Sequence, residues 1–168
     1  MKPGDHPEFF RFPPPPGRSR ESTIRLDRDG RFWHDDALVE HSQMAKAFAA
    51  WISTHPDDGR FILTNGYDWT YFSVEDTPYF VTGVRLLDGK PELSLFDGSN
   101  EPMDPSTLRE GPDGALYLRV KQGEFEARFQ PSAQLELAPL LVEADGGVGL
   151  EIAGQRFSVP PREAPGKQ

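Results

Sequence analysis

Two short stretches of this sequence hold side chains whose types and spacing could do chemistry. Glu75-Asp76-Thr77-Pro78 places adjacent carboxylates between two strongly apolar segments. Such a pair could hold a cationic group, or use a raised carboxyl pKa on one member for acid–base work. The competing reading is a turn, because Asp76 can bond its own backbone two residues on and Pro78 fixes φ. His34-Asp35-Asp36 with His41 offers imidazole and carboxylate ligands for a divalent metal. Ligation by His34, Asp36 and His41 requires the intervening loop to fold back. Without that, the same residues are a polar turn and acids near the start of a helix. Trp69 and Tyr71 share one face of a strand, which is then either core or the lining of a pocket. With Tyr79 they complete a candidate ligand-binding set of Glu75, Asp76, Trp69, Tyr71 and Tyr79.

Other chemistries find no support. The chain has no cysteine, which excludes disulfides, thiolate zinc sites and cysteine nucleophiles. No serine sits in a G-x-S-x-G elbow, and no glycine pattern cradles a phosphate. Nothing calls for a cofactor. The net charge is −9, and it is concentrated in the centre of the chain. Residues 1–22 hold four Lys or Arg against three Asp or Glu, and residues 160–168 two against one, so the body between them stands at −11. A nucleic-acid binder needs a basic face, and an acidic body repels phosphate and anionic lipid alike. Nucleic acid and membrane are therefore not expected as partners, and a small molecule or a protein is. No apolar leader or membrane-length run occurs, which points to the cytoplasm.

The elements that must position these residues follow from periodicity and turn chemistry. Thr23-Ile24-Arg25-Leu26-Asp27 alternates polar and apolar, Asp29-Gly30 signals a hairpin, and residues 31–34 form the return strand. Ser42 stands as the N-cap of a helix carrying Met44, Phe48, Trp51 and Ile52, which Pro56-Asp57-Asp58-Gly59 ends. Strands around Asn65-Gly66 follow. The second half repeats the order: residues 115–120, a turn at Gln122-Gly123, residues 125–129, a helix from Pro131, Asp145-Gly146-Gly147, and a closing hairpin. Phe72-Ser73-Val74 and Phe157-Ser158-Val159 end the two halves alike. Pro139 must either kink the second helix or sit in the first turn of a restarted one.

The expected fold class is thus α+β. Two related β-hairpin–helix–β-hairpin units pack together, with mostly antiparallel sheet and two main helices. The first unit spans 23–96 with extra strands, a long polar connection 97–114, and the second unit 115–159. Residues 1–22, with four consecutive prolines, and residues 160–168 are expected to be disordered tails whose removal leaves stability nearly unchanged.

The runs Arg28-Asp29-Gly30-Arg31-Phe32-Trp33 and Val74-Glu75-Asp76-Thr77-Pro78-Tyr79, and the later residues 118–129, 135–141 and 149–159, resemble a bacterial family, domain of unknown function 1285. Glu75-Asp76 and Leu93-Ser94 to Tyr117 bear a weaker likeness to domain of unknown function 4505. The first resemblance implies a mixed α+β fold with repeated motifs, and a part in signal transduction has been suggested for that family. It supplies no catalytic residues. The expected function is a non-catalytic binding or signalling module. The alternative is a metal-assisted hydrolase using His34, Asp36 and His41.

Overall fold

In the computed structural model, which describes residues 1–163, short strands and two helices follow in the order β1 (Arg25–Leu26), β2 (Phe32–His34), β3 (Ala37–Leu38), α1 (Ser42–Ala50), β4 (Ile52–Thr54), β5 (Phe61–Thr64), β6 (Trp69–Tyr71) and β7 (Ser73–Val74). Next come β8 (Tyr79–Leu87), β9 (Lys90–Leu95), β10 (Asn100–Pro102), β11 (Arg109–Glu110), β12 (Leu116–Val120), β13 (Phe125–Phe129), α2 (Pro131–Leu137), β14 (Leu141–Ala144), β15 (Gly147–Ile152) and β16 (Gln155–Ser158). The class is α+β, and all strand pairs are antiparallel except β1–β7 and β8–β13. The chain divides into two compact units, Met1–Pro78 and Tyr79–Gln168.

The first unit holds the sheet β3-β2-β1-β7 and the sheet β4-β5-β6. The Asp29-Gly30 turn closes β1 on β2, with Gly30 at φ 88° as the hairpin requires. Helix α1 is shorter than its apolar spacing suggests. His41, not Ser42, is its N-cap, and it ends at Ala50. Ile52 pairs with Leu63 instead of extending the helix, because burying it on a sheet satisfies both its side chain and its backbone. Pro56-Asp57-Asp58-Gly59 is accordingly the turn of the β4–β5 hairpin rather than a helix stop. Leu26, Phe32, Ala49, Ile62 and Leu63 make up much of the unit's core.

The second unit begins earlier than expected. Tyr79–Val81 of β8 pair in parallel with Ala127–Phe129 of β13, so β8 and β9 belong to the six-stranded sheet β10-β9-β8-β13-β12-β11. The stretch 97–114 is part of that sheet: it supplies β10, a 3-10 turn at Pro105–Thr107 and β11, and it buries Met103 and Leu108. Its polar composition hides two apolar anchors. Helix α2 stops at Leu137, and a 3-10 turn at Ala138–Leu140 takes Pro139 in its opening turn, where no helical donor is lost. Asp145-Gly146 is then the β14–β15 hairpin turn. Each helix is followed at once by a three-stranded antiparallel sheet, β4-β5-β6 or β14-β15-β16.

Neither end behaves as a free tail among the described residues. The leader forms 3-10 turns at Pro3–Asp5 and Pro7–Arg11, and the Gly4 N–H donates to the Gly66 carbonyl at 2.8 Å. At the other end Pro161 bridges Glu110 in parallel, and Arg162 forks onto Glu126 at 2.6 and 3.0 Å while lying over the Tyr117 ring. Residues 164–168 of the expected second tail lie outside the described residues.

Candidate functional site

The β4–β5 hairpin and β6 assemble the densest group of chemically capable side chains in the first unit. His55 follows β4 directly and is only 7% exposed. Its Nδ1 accepts the Asp57 N–H at 3.1 Å, which leaves the proton on Nε2, 3.1 Å from the Phe10 carbonyl. The ring thus aims a donor at a main-chain oxygen. Tyr71 stacks on it at 5.8 Å, Trp69 meets it edge-on at 5.0 Å, and Trp69 and Tyr71 are themselves 5.0 Å apart. Their i, i+2 spacing on β6 puts both rings on one face.

Charges frame these rings. The Tyr71 hydroxyl donates to Asp58 at 2.7 Å, and the Arg60 guanidinium lies 3.7 Å over the Tyr71 ring while forking onto Glu21. Burial and the hydrogen bond to Asp58 both raise the Tyr71 pKa. Burial pushes Asp58 up, but the Tyr71 hydroxyl and the Arg60 N–H outweigh it and hold the carboxyl below its usual value. Arg20 covers Trp69 at 4.5 Å and pairs with Asp68 at 2.7 Å. Its Nε and the Trp69 Nε1 are buried donors that meet no acceptor among the described residues. An unmet buried donor costs about 1–3 kcal/mol.

The occupant of this surface is the chain's own leader. The Phe10 ring stands 6.0 Å from both His55 and Trp69, and the Arg11 guanidinium binds Asp57 at 2.9 and 3.1 Å. Arg11 holds the Asp57 carboxyl below its usual value. That contribution is complete above the ordinary Asp value of 3.8 and is lost as pH falls through the lower docked value. Phe10→Ala is expected to cost about 1–2 kcal/mol, from half-buried aromatic area, and to shift Trp69 emission to the red. Urea titration followed by tryptophan fluorescence measures both, and an unchanged midpoint and spectrum would show an idle leader.

The residues singled out by sequence fall in separate places. Trp69 and Tyr71 come together in this cluster. Tyr79 lies in the second unit, packed on Phe125 and Phe96, where burial and nearby Asp97 raise its pKa. Glu75 pairs with Arg25 at 3.0 Å and accepts the Arg28 N–H at 3.2 Å, so it ties the loop after β1 to the end of β7. Asp76 beside it is half-buried.

The metal set is not assembled. Among the described residues no three His, Asp or Glu side chains group so as to hold an ion. Asp35 and Asp36 sit at φ 51° and 61°, the consecutive left-handed residues of a tight β2–β3 hairpin, a position that Asp tolerates. The His41 ring caps α1 by accepting the Met44 N–H. His55, Asp57 and Asp58 were the residues that sequence reasoning missed. The signal was a histidine set directly before an acidic Pro-Asp-Asp-Gly turn.

The second unit carries another polar cluster, at the edge of an open groove of about 970 Å³ lined by Glu101, Met103, Arg119 and Lys121. Asp97, 7% exposed at its side chain, binds Lys121 Nζ at 2.9 Å and takes the Ser99 hydroxyl at 2.6 Å. The Lys121 ammonium also donates to Ser99 Oγ and lies 5.5 Å from the Tyr79 ring. Burial pushes Asp97 up, yet the Ser99 and Lys121 hydrogen bonds leave it below its usual value. These contacts lock the β9–β10 turn to the end of β12.

An α+β chain with these two units defines a class before any relative is considered. No family model matches the chain, and no curated protein is significantly similar to it. Solved structures are similar. One is a DUF1285 family protein from Silicibacter pomeroyi DSS-3, 19% identical, covering 88% of this chain and 83% of that one with a TM-score of 0.66. Another is a DUF1285 family protein from Shewanella baltica OS155, 17% identical, covering 66% of this chain and 86% of that one with a TM-score of 0.53. The chain resembles the DUF1285 family in fold. No helix among the described residues is long and apolar enough to cross a membrane.

Proposed function

We propose that the protein is a non-catalytic binding module whose first unit recognises a small ligand or a protein segment on His55, Trp69, Tyr71 and Asp57. One observation carries this reading: the buried His55 ring is held in a single tautomer whose Nε2–H is spent on a main-chain carbonyl. A histidine poised for proton transfer needs a reacting group within reach, whereas this one reads an acceptor. The surrounding rings supply apolar area, and Asp57 supplies a charge for a cation. A cytoplasmic signalling role, suggested for the resembling family, suits such a module, and the −9 charge disfavours nucleic acid and anionic lipid.

The test is a titration of peptides and small molecules into the protein, watching the Trp69 indole and His55 imidazole resonances. Saturable shifts that disappear in Asp57→Ala are the expected result. Hydrolytic turnover that requires an added divalent ion and vanishes in His34→Ala would overturn the reading in favour of a metal-assisted hydrolase.

A further inference from the structure

We infer that the surface beneath the leader docks a 3-10 turn of a partner protein carrying a Phe-Arg pair, the conformation Phe10-Arg11 adopts there, and that Phe10-Arg11 of the leader is a built-in competitor for it. This rests on the binding reading above and adds the chemistry of the partner. Three anchors define that chemistry. His55 and Trp69 flank an aromatic ring, His55 Nε2 donates to the carbonyl of the same residue, and Asp57 takes the next residue's guanidinium in a fork. A ring, its own carbonyl and the following guanidinium in one register specify a dipeptide rather than a free metabolite.

The leader is attached so that it can leave. Residues 12–19 are exposed apart from a half-buried Pro14, and their one backbone hydrogen bond among the described residues is internal, Arg18 N–H to the Pro15 carbonyl. The chain is held again only at Arg20, whose carbonyl accepts from Tyr71 N–H and the Thr70 hydroxyl. The leader is also an incomplete occupant, since Trp69 Nε1 and Arg20 Nε find no acceptor while it is seated. A second copy's leader would bring the same segment at a lower effective concentration and could not displace the first. A different protein whose segment offers a further carbonyl could.

The probe is a dye-labelled synthetic peptide of residues 6–13, titrated into the full chain and into the full-chain double variant Phe10→Ala, Arg11→Ala. The peptide should bind the double variant roughly tenfold or more tightly than the wild type, because the tethered competitor is gone. Adding Asp57→Ala, in an exposed turn, should remove that gain. Equal affinity for the two proteins, or no binding to a double variant whose circular dichroism is native, overturns the inference. A concentration-dependent wild-type dimer that the double variant does not form also overturns it, in favour of leader exchange between copies. If the peptide fails while other ligands still shift Trp69, the partner assignment alone is lost. If nothing shifts Trp69, the binding reading falls with it.

Discussion

Replacing Asp27 with alanine is expected to cost about 2–4 kcal/mol, because three donors lose their shared acceptor. Asp27 is 7% exposed and accepts from the Asp29 and Arg31 N–H groups at 2.9 Å and from the Trp33 indole at 2.8 Å. Alanine leaves all three donors without their acceptor at once. Asparagine keeps one acceptor oxygen for the two backbone bonds, so Asp27→Asn should lose roughly 1–3 kcal/mol, mainly through Trp33 and to a smaller extent through the 3.5 Å pairing with Arg31. Burial pushes the Asp27 carboxyl up, but the Trp33 indole and the two N–H groups outweigh it and set it below 3.8. A depressed folded pKa means the contribution is whole above 3.8 and disappears as pH falls through the folded value. Urea unfolding of wild type and Asp27→Ala should therefore differ most near neutrality and converge in acid. A constant gap across that window would refute the account.

The second large effect is expected in the other unit. Asp97→Ala should cost about 2–4 kcal/mol, because it leaves the Lys121 ammonium, whose side chain is 30% exposed, facing Ser99 and the Tyr79 ring. Lys121 itself holds φ 54°, and its N–H is clamped by both Glu101 carboxylate oxygens at 3.1 and 3.2 Å. Lys121→Met in the Asp97→Ala background should return part of the loss, since it removes the stranded charge while keeping the apolar stem. A double-mutant cycle reads this directly, and strict additivity would show that the two side chains do not act together.

Local chemistry was legible in the sequence, and long-range pairing was not. Asp29-Gly30 and residues 115–129 read as hairpins because turn residues and alternation lie side by side, and they fold so. The Pro139 restart was likewise visible, since proline acts on its own neighbours. The unit boundary was misplaced because the parallel pairing of β8 with β13 leaves no turn between its partners. The leader was misread for the same reason: Arg11 meets Asp57, 46 residues away, and nothing periodic near Phe10 announces it. The pairing of Trp69 and Tyr71 on one face of β6, half of the proposed site, followed from strand alternation. His55 did not, because a histidine beside a turn gains meaning only once β4 and β6 lie in one sheet.

The parallel pairing of β1 with β7 sets an order of events during synthesis. Arg25 and Leu26 are among the first body residues made, yet their partners Ser73 and Val74 arrive only as the first unit ends. The leader, made before the rest of its unit, must wait longer still for Trp69 and Tyr71. The second unit waits again, since β8 lacks its neighbour until β13 has been made. At roughly 5–20 residues per second, the stretch from Val74 to Phe129 takes the ribosome roughly 3–11 s. Throughout that interval a finished first unit, leader seated, coexists with a second unit still missing the centre of its sheet.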